Sequence, residues 1–167
     1  GTYISLYGDK LKKIKKWDNE TPNLFESDVP PETRVLVDQY TDSEETSKGH
    51  VIMTIDIEVE VTDGFPDIHK ADNKITSIAI HSSSDDTYYT LVLDPKDNLK
   101  LKSHDNVEIE TFENEFELLQ KFYMIYLKIK PTIITGWNID GFDMPYLYKR
   151  SSNIVGSNVA DLLSPIR

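Results

Sequence analysis

The stretch Ile52–Val61, IMTIDIEVEV, limits more than any other what this chain can fold into. Side chains alternate between the two faces of a strand. Val51, Met53, Ile55, Ile57, Val59 and Val61 therefore form one continuous apolar face, and Ile52, Thr54, Asp56, Glu58 and Glu60 form the other. Carboxylates two residues apart on such a face lie about 6.6 Å from one another. Each such pair repels by about 2.5 kcal/mol at an effective dielectric near 20, against about 0.6 kcal/mol in bulk water. Two readings account for the pattern. Either the face is open to solvent on an edge strand, where the cost is small, or it binds hard cations, because Mg²⁺ and Mn²⁺ take oxygen ligands from converging carboxylates. The near-continuous apolar run favours a central strand, and with it the cation reading. Glu60, further along, is expected to be solvated rather than a ligand.

The 167 residues suffice for one domain with a full core, alone or with a small appendage. The first 48 residues differ in character from the rest. Lys10, Lys12, Lys13, Lys15 and Lys16 surround Leu11, Ile14 and Trp17, which reads as the solvated face of a small amphipathic element or as a basic patch for phosphates. Pro30 and Pro31 mark a helix start, with Val35, Leu36, Gln39 and Tyr40 along that helix. The polar run TDSEETSKG is a linker. The domain proper is expected to span 49–167.

Within it, 51–61 is a first strand, and 74–82 with 87–94 reads as a hairpin. VEIETF adds a short edge strand. A helix over about 112–130 follows, with Thr111 as its N-cap and Phe112, Phe116, Leu119, Tyr123 and Tyr126 on its core face. Pro131 ends it. Thr132–Thr135 is a short buried strand, expected parallel to the acidic strand and reached by a right-handed crossover. A last helix begins near Asp143. The predicted class is α/β, a mixed sheet of three antiparallel strands, a helix, a parallel strand and a helix.

The second polar constellation is TGWNIDGFDMPY. Loop chemistry accounts for it in isolation, since Asn, Asp and Gly favour turns and Asp143 can cap the last helix. The two stretches together say more. If strand 132–135 lies beside the acidic strand, the loop leaving it brings Asp143 toward Asp56 and Glu58. Three carboxylates converging in this way suit two divalent metals about 4 Å apart, the arrangement used for in-line displacement at phosphorus.

These residues resemble a known pair of motifs. Asp56-Ile57-Glu58 resembles the Asp-x-Glu first exonuclease motif of family B DNA polymerases, and Asn138–Asp143 resembles their second, Asn-x-x-x-(Phe/Tyr)-Asp. TGWNIDGFDMPYL is similar to the replicative polymerases of tailed phages, and SDVPPETRVLVDQY to the segment that precedes the exonuclease domain in some of them. The resemblance covers roughly residues 27–167. It implies a ribonuclease-H-like domain for 3′→5′ proofreading, in which Asp56, Glu58 and Asp143 hold two divalent cations, Mg²⁺ or Mn²⁺. It assigns Asn138 to the bound strand or its loop, and Phe142 to packing or to contact with a base. The implied partners are the single-stranded 3′ end of DNA and the remainder of a polymerase.

One departure stands out. The family's third motif is Tyr-x-x-x-Asp, and none of the nine tyrosines here has Asp four residues on. The expectation is therefore a fragment, incomplete at its C-terminus and inactive alone, with residues 1–48 belonging to the polymerase's N-terminal region. Surface left uncovered by the missing part would let copies associate. The competing reading is a non-catalytic acidic interaction module or a decayed remnant of a ribonuclease-H-like nuclease.

The formal net charge of −11 argues against broad adhesion to nucleic acid or membrane, but not against a nucleic-acid enzyme whose site uses bound cations. There are no cysteines, hence no disulfides or thiolate metal sites. No apolar run approaches the roughly 18 residues of a membrane span. With no basic-then-apolar leader, the expected location is cytoplasmic, in a phage-infected bacterial cell.

Overall fold

The computed structural model describes residues 30–44, 48–62 and 64–164, with 3–4, 8, 10–12, 14, 16 and 20–22 from the N-terminal stretch. The chain divides into two compact units, Gly1–Ser47 and Lys48–Arg167. In the first, β1 (Tyr3–Ile4) pairs antiparallel with β2 (Lys10–Leu11). Helix α1 (Pro31–Tyr40) starts on a proline at N1, where the missing N–H has no partner to lose. Lys10, Lys12 and Lys16 are exposed. Lys13, Lys15 and Trp17 of the lysine-rich element lie outside the described residues.

The second unit holds a five-stranded sheet in the order β6-β5-β4-β3-β7. Its strands are β3 (Ile52–Val59), β4 (Ile75–Ser82), β5 (Thr87–Leu93), β6 (Val107–Phe112) and β7 (Ile133–Thr135). Antiparallel pairing joins β3 to β4 and β4 to β5, whereas β6 runs parallel to β5 and β7 parallel to β3. Only β4 is reversed. The mixed sheet and its helices are compatible with a ribonuclease-H-like fold. VEIETF is indeed an edge strand, at the margin opposite β7.

Helix α2 (Glu115–Ile129) joins β6 to β7. Its start corrects the sequence expectation. Asn114, not Thr111, is the N-cap and accepts the Glu117 N–H at 3.0 Å, while Thr111 and Phe112 still belong to β6. The β pairing with β5 runs on through Phe112 and outweighs the helical spacing. Phe116 is accordingly 45% exposed, and the core face is Leu118, Leu119, Phe122, Tyr123, Ile125, Tyr126 and Ile129. Lys130, left-handed at φ 51°, ends the helix just before Pro131.

Helix α3 (Asp143–Ile154) buries Asp143, Tyr146, Leu147, Arg150 and Ser151, a single stripe at helical spacing. A short helix α4 (Ser157–Ala160) and a 3-10 turn (Asp161–Leu163) follow. These helices and the odd face of β3 (Met53, Ile55, Ile57) share one core with Ile78, Ile80, Tyr89 and Leu91. The opposite face of β3 is exposed at Ile52, Thr54, Asp56 and Glu58, as are Ala79 on β4 and Tyr88 on β5. Among the described residues, no helix is long and apolar enough to cross a membrane.

Candidate active site

The acidic face of β3 follows directly from strand alternation. Asp56 and Glu58 stand opposite Ala79 and Ser77 of β4, small neighbours that leave both carboxylates uncovered. Glu60 lies beyond the strand and is exposed. Just past Glu58 the β3–β4 register shifts, so that Val59 pairs with Ile75 and Thr76 is passed over. The Thr76 hydroxyl donates to the Glu58 carbonyl at 3.2 Å, anchoring this irregularity.

On its other side β3 has β7 as neighbour only as far as Thr54, which pairs with Thr135. Gly136 then passes so close to β3 that a Cβ there would lie 2.3 Å from the Ile55 carbonyl oxygen. Only glycine lets the chain leave the sheet at this point. Asn138, at φ 51°, reverses it, and its carbonyl accepts the N–H groups of Gly141 and Phe142 at 3.0 Å each. The Asn138 side chain fills the space a Cβ on Gly141 would need, 2.3 Å from its Oδ1. The Asn138 side chain and carbonyl are thus both packed into the loop turn.

That turn sets Asp143 as the first residue of α3. The helix is capped by Phe142 without a side-chain bond, so Asp143 is not the cap that loop chemistry alone would make it. Its Oδ1 instead accepts the Ile57 N–H at 3.1 Å, taking the β3 amide that β7 leaves unpaired. Ile57 is the residue between Asp56 and Glu58. Asp143 is only 5% exposed. Burial pushes its carboxyl above the usual carboxylate range, and the charge of Asp56 adds to this, while the Ile57 N–H and its own N–H pull it down.

Phe142 is half-buried, its ring stacked at 5.3 Å on the fully buried Tyr146 and tilted at 5.1 Å against Phe65. Phe65, in the β3–β4 connection, is 80% exposed. An aromatic series therefore runs from the core to the surface, ending beside a cleft of about 380 Å³ lined by Phe65, Thr62, Lys70 and Asp72. The sequence reading did not single out Phe65, whose only signal is a large aromatic in a turn-rich loop, DGFPD.

A buried bidentate pair, Arg150 with Glu115, also went unread. Trp137 is 91% exposed beside the loop turn. The donor set is all oxygen and suits a hard cation in kind. A cation would also relieve the cost that burial and Asp56 impose on Asp143. Among the described residues, no group of three or more His, Cys, Asp or Glu side chains is closed up tightly enough to hold a metal ion as placed.

Comparison with known proteins gives this geometry its context. The family model "DNA polymerase family B, exonuclease domain" matches residues 13–163, nearly the whole chain. The chain belongs to this family. Among its relatives is the DNA-directed DNA polymerase of Escherichia phage RB69, 34% identical over 137 residues, which cover 70% of this chain. That of Enterobacteria phage T4 is 34% identical over 131 residues, 65% of the chain. DNA polymerase 1 of Sulfurisphaera ohwakuensis is 34% identical over 146 residues, 87% of the chain. This family B chain spans only 15% of the length of each phage relative and 14% of the third.

Proposed function

We propose that this chain is part of the 3′→5′ proofreading exonuclease of a family B DNA polymerase. In this reading, residues 49–167 form part of the exonuclease domain and 1–48 belong to the polymerase's N-terminal region. The observation that carries it is the Asp143 carboxylate seated on the Ile57 amide, on the strand that presents Asp56 and Glu58. Asp56, Glu58 and Asp143 would hold two divalent cations, Mg²⁺ or Mn²⁺. When bound, these supply the Lewis acidity that activates water and neutralises charge at a scissile phosphodiester.

The protein's own residues set where the substrate lies. Asp56 and Glu58 are offered from a rigid central strand, which fixes them better than a loop would. Asn138 and Gly141 hold the loop that delivers Asp143, and Phe142 braces Phe65. Phe65 offers an exposed aromatic face on which a frayed 3′-terminal base can stack. The substrate is the single-stranded 3′ end of DNA, and the partner is the rest of the polymerase, acting in the cytoplasm of a phage-infected bacterium. With no Tyr-x-x-x-Asp in the sequence, the chain is expected to be inactive alone and open to self-association.

Calorimetric titration of Mn²⁺ into the purified chain, beside Asp56→Ala, tests this. Binding that is lost in the variant supports the metal reading. The next step tests the chain extended by a segment carrying a Tyr-x-x-x-Asp motif, and assays trimming of single-stranded DNA from the 3′ end. A folded protein that binds no Mn²⁺ sinks the metal site in this chain and favours an acidic interaction module.

A further inference from the structure

Two turns beyond Asp143, the buried stripe of α3 carries an arginine that the chemistry above does not use. Arg150 and Glu115 are both buried. Arg150 Nε donates to Glu115 Oε1 at 2.9 Å and Nη2 donates to Oε2 at 2.6 Å. Nη1 donates to the carbonyls of Ala71 and Asp72 at 3.0 and 2.8 Å. Glu115 Oε1 accepts the Ile75 N–H at 2.7 Å as well. One cluster thus ties together α3, the first residue of α2, the β3–β4 connection and the first residue of β4. Tyr146, on the same stripe, adds a bond from its hydroxyl to the Asn73 carbonyl at 2.8 Å.

A buried ion pair is a poor source of stability, because desolvation offsets its attraction and apolar residues of equal volume often serve as well. What a guanidinium fork does supply is direction and distance. The geometry fixed here is the one the carboxylates need. Asp143 lies at the head of the stripe, on the Ile57 amide. Strand β4, whose first amide Glu115 holds, pairs with β3 and sets Ser77 opposite Glu58. The connections form a closed ring, from Asp143 along α3 to Arg150, across Glu115 to Ile75, along β4 to Ile78, and over to Ile57, whose N–H donates to Asp143.

We propose that the Arg150–Glu115 pair is a positioning device that sets the height of α3 against the sheet, and so seats Asp143 on the Ile57 amide between Asp56 and Glu58. Its relevance to catalysis rests on the proposed function, whereas the seating is a property of the protein alone. The rival is a pair that only fills the space between helices.

Amide hydrogen exchange, followed by NMR on the whole chain in EDTA, separates the two. Arg150→Lys keeps the charge and loses the fork, and Glu115→Gln is a milder second variant that keeps an acceptor for Ile75. Both are expected to speed exchange at Ile57 by at least about tenfold, the loss of one buried hydrogen bond. Ile78 and Leu91, on central strands, should keep their protection. The double variant Glu115→Leu/Arg150→Met removes the charges and the fork together and should not restore protection at Ile57. The proposal is overturned if Ile57 stays protected in both single variants, if it loosens only in step with Ile78 and Leu91, or if the apolar pair restores it. Mn²⁺ titration of the same proteins keeps the two readings apart. A wild type that binds no Mn²⁺ defeats the metal reading, while the exchange data still decide the seating. A wild type that binds Mn²⁺, with affinity unchanged in Arg150→Lys, overturns the positioning role.

Discussion

Asp143 is where the site's electrostatics can be read most directly. Burial, with Asp56 nearby, holds its carboxyl above the ordinary range. In the unfolded chain an aspartate releases its proton at about pH 3.9, while in the folded chain this one keeps it to higher pH. Between those two values the folded state binds more protons, so stability falls as pH rises through that window and the loss persists above it. Asp143→Asn keeps an oxygen for the Ile57 N–H and removes the charge. Without metal at pH 7 the variant is therefore expected to melt above the wild type, with the gain disappearing below about pH 4. Mn²⁺ should reverse the order. At one hundred times its dissociation constant it adds about 2.7 kcal/mol to the wild type and little to the variant. Thermal unfolding followed by circular dichroism across pH, with EDTA or Mn²⁺, checks both halves. A variant less stable than wild type in EDTA at pH 7 would contradict this account.

Within the five-stranded sheet, β7 is the shortest strand, three residues that pair with β3 alone. Gly136 controls how it leaves. A methyl group there meets the Ile55 carbonyl, part of the backbone of a central strand that cannot swing aside. Gly136→Ala should cost about 1–3 kcal/mol, as overpacking does, and urea unfolding would show it as a lower midpoint at unchanged slope. A neutral result would mean that the loop shifts freely and does not hold Asp143 in place. Alternation at Met53, Ile55 and Ile57 and the parallel placement of β7 were legible beforehand, as consequences of burial pattern and chain order, but β7 is not the buried strand expected, since Ile133 is 40% exposed and Thr135 is exposed too. The start of α2 was not legible, since Phe112 and Phe116 fit helical spacing, and only the β5 partner decides that Phe112 is strand. Phe65 and the Arg150–Glu115 pair escaped for a related reason. Each takes its meaning from a residue far along the chain, Phe142 for the one and a partner 35 residues away for the other.

At the scale of the molecule, a net charge of −11 has to be reconciled with the polyanionic substrate proposed above. Exposed like charges at more than about 8 Å are screened at physiological salt, so the distant acidic surface matters less than Asp56 and Glu58 on the open sheet face. A DNA phosphate approaching that face meets two uncompensated carboxylates unless cations intervene. Binding of a short fluorescent oligothymidine should therefore be undetectable in EDTA and appear with Ca²⁺, which occupies hard oxygen sites while supporting little hydrolysis. Fluorescence anisotropy would follow it. Asp56→Asn with Glu58→Gln should weaken the dependence on Ca²⁺, since the repulsion and the cation site vanish together. Phe65→Ala should leave stability within about 0.5 kcal/mol, its ring being mostly in solvent, yet cost about 1–3 kcal/mol of oligonucleotide affinity through the lost base stacking. Equal binding in EDTA and Ca²⁺ would place the DNA away from β3 and leave the acidic face without this role.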